Sequence, residues 1–204
     1  MDEQQVKSKQ RVADHGEVFT AEREVKAMCD LVKSETERID SRFLEPACGN
    51  GNFLAEVLRR KLSVVRKRYA RSIFDYERYS VVAVTSIYGV DILEDNAQEC
   101  RERMFDIWNT EYTAVAGRRT DEHCREAVRF ILRKNILCGD ALTMRQNNGD
   151  PIVFSEWSLV VGSHIKRRDF TLVELLNPDE LSIQTNERET KYVLTDFRKV
   201  QDYE

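Results

Sequence analysis

The run Glu45-Pro46-Ala47-Cys48-Gly49-Asn50-Gly51-Asn52-Phe53 constrains what this chain can fold into more than any other segment. Before it, Arg42-Phe43-Leu44-Glu45 reads as a short strand that Pro46 stops. Two glycines then allow a sharp turn and a close approach of backbone to ligand, because neither carries a Cβ. After the turn Phe53, Leu54, Val57, Leu58, Leu62 and Val65 recur at helical spacing, which predicts a helix over 52–70. The first turn of that helix offers free N–H groups. Strand, tight turn and helix together are the unit from which parallel sheets are built. The dinucleotide fingerprint needs a third glycine that is missing here, and no GK[ST] follows to make a P-loop.

The rest of the chain repeats the alternation. A helix over 21–36, with Thr20 as its N-cap, is predicted from Val25, Met28, Cys29 and Val32. Val81 to Val90 is rich in β-branched residues and reads as a buried strand ending at Asp91. Helices over 94–110 and 120–134 follow, then short strands over 135–138 and 157–161, ending at Gly139-Asp140 and Gly162. Past Lys166, Phe170 to Leu176 and Tyr192 to Leu194 read as strands or short helices and Thr185 to Thr190 as a loop. The expected fold class is α/β with a mostly parallel sheet and flanking helices. In such sheets a ligand lies beyond the C-terminal ends of the strands, which selects Glu45–Gly51, Asp91–Ile92 and Asp140–Ala141.

Composition sets the remaining bounds. A chain of 204 residues fits one domain. Residues 1–11 are polar and are expected to be loosely attached, 12–165 to form the domain, and 166–204 to be an extension of uncertain structure. A net charge of −4 argues against coating nucleic acid by charge alone. The basic half of the 52–70 helix, Arg59 to Arg71, either complements the helix dipole or faces a phosphate. Five scattered cysteines indicate no disulfide framework and no metal site. With no secretory leader and no membrane span in sight, a cytoplasmic protein is expected.

Glu45 to Leu54 resembles motif I of S-adenosylmethionine-dependent DNA methyltransferases of the amino-group class, above all the adenine-N6 enzymes of restriction–modification systems. Gly16-Glu17-Val18-Phe19-Thr20-Ala21 resembles that family's methionine-binding segment, with Ala21 in place of its usual proline. Asp91 and Asp140 match the acidic ends of its second and third strands. The resemblance implies a Rossmann-like methyltransferase fold that binds S-adenosyl-L-methionine. Glu45 would accept from the ammonium or orient the glycine turn, and Ala47, Gly49 and Gly51 would form the close turn. Phe19 and Thr20 would close over the methionine end. Asp91 would take both ribose hydroxyls. Ile92 would pack on the adenine, with Phe53, Ala141 or Leu142 nearby, and Asp140 would accept from its amino group.

The resemblance weakens after residue 162. The family's catalytic motif reads Asn/Asp/Ser-Pro-Pro-aromatic after the fourth strand; this chain has Ser163-His164-Ile165-Lys166. Ser163, with His164 or Lys166 assisting, is the catalytic candidate. Asn177-Pro178 is a second, better read as a helix start. About 40 residues remain, too few for the rest of the family sheet and a DNA-reading region. The expectation is a truncated methyltransferase, or one that reaches DNA through a partner: a restriction–modification subunit or a second copy. A non-catalytic cofactor-binding scaffold and a methyltransferase with a non-DNA substrate are the alternatives.

Overall fold

A computed structural model of the chain describes residues 7–15, 17–176 and 192–202. Strands β1 (Phe43–Glu45), β2 (Ile87–Asp91) and β3 (Ile136–Cys138) form a parallel sheet in the order β1-β2-β3. Leu44 pairs with Tyr88 and Val90 with Leu137. Helices α4 (Asn52–Tyr69) and α5 (Ile73–Thr85) join β1 to β2, and α6 (Glu94–Ala116) and α7 (Glu122–Asn135) join β2 to β3. Both connections step the same way across the sheet, so right-handed crossovers lay these helices on one face. The alternation along β2 agrees. Ile87 enters the main core with Leu54, Leu58 and Trp108, while Tyr88 and Val90 point to the other face.

A second sheet covers that other face. It is antiparallel, of β4 (Val153–Leu159), β5 (His164–Thr171) and β6 (Thr195–Asp196) in that order. Ile152, Phe154, Phe170 and Leu172 pack on Leu44, Tyr88, Val90 and Leu137. Tyr88 meets Phe154 edge-on at 5.4 Å and its hydroxyl donates to the Ser155 carbonyl at 3.2 Å. The fold is therefore α/β, with three parallel strands between a helical layer and an antiparallel layer.

Six expectations are corrected. The 157–161 strand does not extend the parallel sheet. It is the end of β4, which turns at Gly162 (φ +63) and pairs back, Leu159 against Ile165. The boundary expected between 165 and 166 thus falls inside a continuous hairpin. Residues 81–85 are helical, not strand. Ser72 caps α5 by accepting from the Asp75 N–H at 3.3 Å, and β2 begins only at Ile87. α5 is packed by α4, α6, α7, β2 and β4, so its Val and Thr residues are buried on several sides and show no clear stripe.

At the N-terminus, α1 (Lys9–His15) is not loose: Lys7 bonds Glu99 at 2.6 Å and Arg11 bonds Glu17 at 2.7 Å. The predicted 21–36 helix is two, α2 (Glu22–Leu31) and α3 (Lys33–Thr36), broken at Val32. Its N-cap is Ala21 rather than Thr20, and the Glu24 carboxylate accepts the Ala21 N–H at 3.3 Å. Residues 1–6, 177–180 and 185–190 lie outside the described residues. Among the described residues no helix is long and apolar enough to cross a membrane.

Candidate functional site

The C-terminal ends of β1, β2 and β3 carry the expected cluster. After β1 the chain turns at once: the Cys48 N–H donates to the Val90 carbonyl and the Gly51 N–H to the Cys48 carbonyl, each at 2.8 Å. Gly49 (φ +53) and Gly51 (φ +85) are left-handed, a region that glycine enters freely. A Cβ on Gly51 would stand 2.6 Å from Cys100 Sγ on α6, so the turn is pressed directly onto that helix.

Asp91 joins the two strand ends. Its Oδ2 accepts the Gly49 N–H at 2.8 Å, and its Oδ1 accepts the Leu93 N–H at 2.9 Å and Asn96 Nδ2 at 3.2 Å. Each carboxylate oxygen offers two lone pairs, so one acceptor position, on Oδ2, is left. The expectation that this carboxylate takes two hydroxyls would need two free positions. Glu45 Oε2 and Asn50 Oδ1 are buried acceptors without a hydrogen-bond partner. Burial, aided by the charge of Asp91, pushes the Glu45 carboxyl up to about 8. Ala47 is exposed at the mouth of the turn. Asp140, past β3, accepts the Leu142 N–H at 2.8 Å. Ile92 is 49% and Leu142 92% exposed, so each strand end presents an apolar side chain beside its carboxylate. Ala141 packs inward with the Tyr88 cluster, and Phe53 packs with Val25, Cys29, Val57 and Phe43 as core.

The segment before α2 lies over this edge. The Phe19 ring packs on Gly49, where a Cβ would come within 3.2 Å of Phe19 Cε1. The Thr20 carbonyl accepts from Asn52 Nδ2 at 3.0 Å, and Thr20 is exposed. Glu17 accepts Asn96 Nδ2 at 2.6 Å, and through that amide joins Asp91. Sequence reasoning missed Asn96 and Arg11. No motif marks them; only their place beside Asp91 and Glu17 does.

Ser163, His164 and Lys166 sit elsewhere. Ile152, at the top of β4, touches Gly139 beyond β3. From there β4 runs down the sheet. Trp157 Nε1 donates to Asn135 Oδ1 at 3.3 Å, just before β3 begins. The Val160 carbonyl accepts from Arg78 of α5 at 3.2 Å. The turn that holds Ser163 is therefore at the N-terminal edge of the parallel sheet. The four residue steps of β2, about 3.3 Å each, separate the two edges. The Ser163 carbonyl accepts from the Phe197 N–H at 2.9 Å, His164 Nδ1 lies 3.2 Å from the Val161 carbonyl, and Lys166 is exposed on β5.

A cleft of about 370 Å³ between α2, α4 and α6 is lined by Glu22, Lys26, Glu56, Arg59 and Arg103. It touches the glycine turn through Asn52 only, and Lys26 is paired with Glu22 and Glu56 with Arg60. The sheet edge, where unpartnered acceptors and bare backbone converge, is the better candidate. Among the described residues no group of His, Cys, Asp and Glu is arranged to hold a metal ion. Comparison with protein-family models, curated proteins and solved structures finds no match to this chain.

Proposed function

We propose that this protein is an S-adenosylmethionine-binding, methyltransferase-like protein of the DNA adenine-N6 type, and that the groups that orient the acceptor come from a partner. One observation carries the reading: a strand-borne carboxylate with an unpartnered oxygen, a two-glycine turn bonded to Asp91, and exposed Ile92 and Leu142 all meet on one sheet edge. The residues fit the cofactor piece by piece. Glu45 Oε2 would accept from the ammonium, whose charge would favour loss of the Glu45 proton, the free Asp91 position would accept from a ribose hydroxyl, and Asp140 from the adenine amino group. Ile92 and Leu142 would cover the purine faces. Bare glycine backbone lets the ligand lie close to the first turn of α4.

Bound S-adenosylmethionine supplies an electrophilic methyl group on its sulfonium. Transfer needs the acceptor about 3–3.5 Å away and in line. Ser163, His164 and Lys166 are a sheet length from that edge, so they do not orient the acceptor. That position also favours a second reading, a cofactor-binding subunit that regulates without transferring.

The test is calorimetric titration and thermal shift with S-adenosylmethionine. At roughly 100 times its dissociation constant the ligand adds about 2.7 kcal/mol, a shift of about 5 °C for a domain of this size. Ile92→Glu changes an exposed side chain and is expected to keep the fold while abolishing the shift. An unchanged melting temperature in the wild type at millimolar ligand refutes the reading.

A further inference from the structure

The strap formed by residues 7–15 and 17–20 is held onto the sheet edge mostly by charge. Among its described residues only Phe19 is a buried apolar side chain, and Val18 is 58% exposed. Arg11 grips Glu17 through Nε and Nη2, both at 2.7 Å, and reaches Asp95 on α6. Lys7 bonds Asp95 at 3.2 Å and Glu99 at 2.6 Å. These pairs converge on one neutral side chain. Asn96 is 1% exposed. Its Oδ1 accepts from Lys7 at 2.9 Å and from Arg11 at 3.1 Å, while its Nδ2 donates to Glu17 at 2.6 Å and to Asp91 Oδ1 at 3.2 Å.

We propose that Asn96 is a positioning residue that couples closure of this strap to the Asp91 carboxylate, so that the Lys7–Arg11 ion pairs act as a latch on the site. An amide suits the task because both of its ends are used. With the strap down, Lys7 and Arg11 hold Oδ1, Glu17 holds one N–H, and the other N–H is aimed at Asp91. With the strap up, Asn96 loses three of its four partners, and its one remaining bond, to Asp91, no longer has the other end of the amide pinned, so Asp91 relies on the two backbone N–H groups of Gly49 and Leu93 for fixed partners. Partly exposed ion pairs weaken with salt, so the latch is salt-sensitive. The coupling stands on the network itself; only its use in holding a nucleoside rests on the proposed function.

Amide hydrogen exchange tests it without ligand. Raising salt from about 50 to about 500 mM should speed exchange on the order of tenfold at residues 17–20 and, in parallel, at the Gly49 and Leu93 amides that Asp91 accepts. Arg11→Gln, a surface change, should give the fast rates at both salt concentrations. In Asn96→Ala the strap should still respond to salt while Gly49 and Leu93 no longer follow it; if that variant does not fold, Arg11→Gln carries the test. Strap amides that respond while Gly49 and Leu93 stay unchanged in wild type and Arg11→Gln overturn the proposal. In a second arm, S-adenosylhomocysteine should leave Arg11→Gln about tenfold faster than wild type. Equal dissociation rates would also overturn the latch. A wild type that binds no nucleoside removes the functional reading alone, and the exchange at Gly49 and Leu93 then decides the coupling.

Discussion

Two buried side chains have their ionisation displaced toward neutrality from opposite directions. Glu45 is enclosed at the end of β1, with its carboxyl pushed up to about 8 by burial and Asp91. Lys61, on α4, is fully buried and pulled down to about 7 by desolvation, although its Nζ donates to the carbonyls of Ile39 and Ser41 and to Ser86 Oγ. The signs are opposite. Folded Glu45 holds a proton that the unfolded chain releases near pH 4.5, so stability falls as pH rises from about 4.5 to 8. Folded Lys61 lacks a proton that the unfolded chain keeps, so stability rises from about 7 to 10.5. The expected profile has a minimum near pH 7–8, with slopes of up to about 1.4 kcal/mol per pH unit on either side. Buried Glu77 is also raised and adds to the acid side. Urea titrations across pH 5–9 check this; above that range the thiols of Cys29 and Cys138, held up to about 11 by burial, act in the opposite sense to Lys61. Glu45→Gln should flatten the acid limb and Lys61→Met the alkaline one. A stability maximum at neutrality in the wild type would show that neither group is buried as described.

At the scale of elements, the β1–α4 turn illustrates why a short run of residues is so informative. Gly51 combines a left-handed φ with no room for a Cβ against Cys100. Gly51→Ala is expected to destabilise by about 2–4 kcal/mol, the sum of backbone strain and overpacking. Adding Cys100→Ala should recover the packing part and leave the strain. Full recovery in the double variant would mean that the left-handed turn costs alanine nothing. The same scale shows where periodicity misleads. Helix α4 was legible because one stripe is buried and the other is charged, with Arg60 paired to Glu56 and Asp30 and Arg66 to Glu111. Helix α5 was not, because neighbours on several sides bury it, and Val81, Val82 and Val84 then satisfy a strand reading equally well. Its real signal was Ser72 with Asp75 three residues on, a cap rather than a stripe.

For the whole molecule, the antiparallel layer is what lets a three-stranded parallel sheet bury both faces. Phe154 is fully buried between Tyr88 and Phe170, with ring centroids 5.4 and 6.0 Å away. Phe154→Ala should cost about 3–5 kcal/mol. If the two sheets are one cooperative unit, it should lower the midpoint of a single denaturation transition. Two separate transitions would instead mean that the layers fold independently. The C-terminal segment closes the same unit, since Phe197 is buried beside Phe74 and Arg198 bonds Asp196 at 3.1 Å.

The amino-acid sequence by itself determined the local units: the β1 strand, the glycine turn, α4, α7, and the acidic ends of β2 and β3. Each of these is set by neighbours within a few residues, through φ preference, capping and one-sided burial. Only the tertiary structure decided where β4 goes and which end of the sheet Ser163 occupies. A strand such as Trp157 to Leu159 is equally apolar in a parallel sheet or in a hairpin laid across its face. Its direction follows from the partners it finds: Asn135, Arg78 and the Tyr88 cluster. The latch was hidden for the same reason. Lys7, Arg11, Glu17 and Asn96 are up to 89 residues apart in the chain and become a network only when the strap lies on α6.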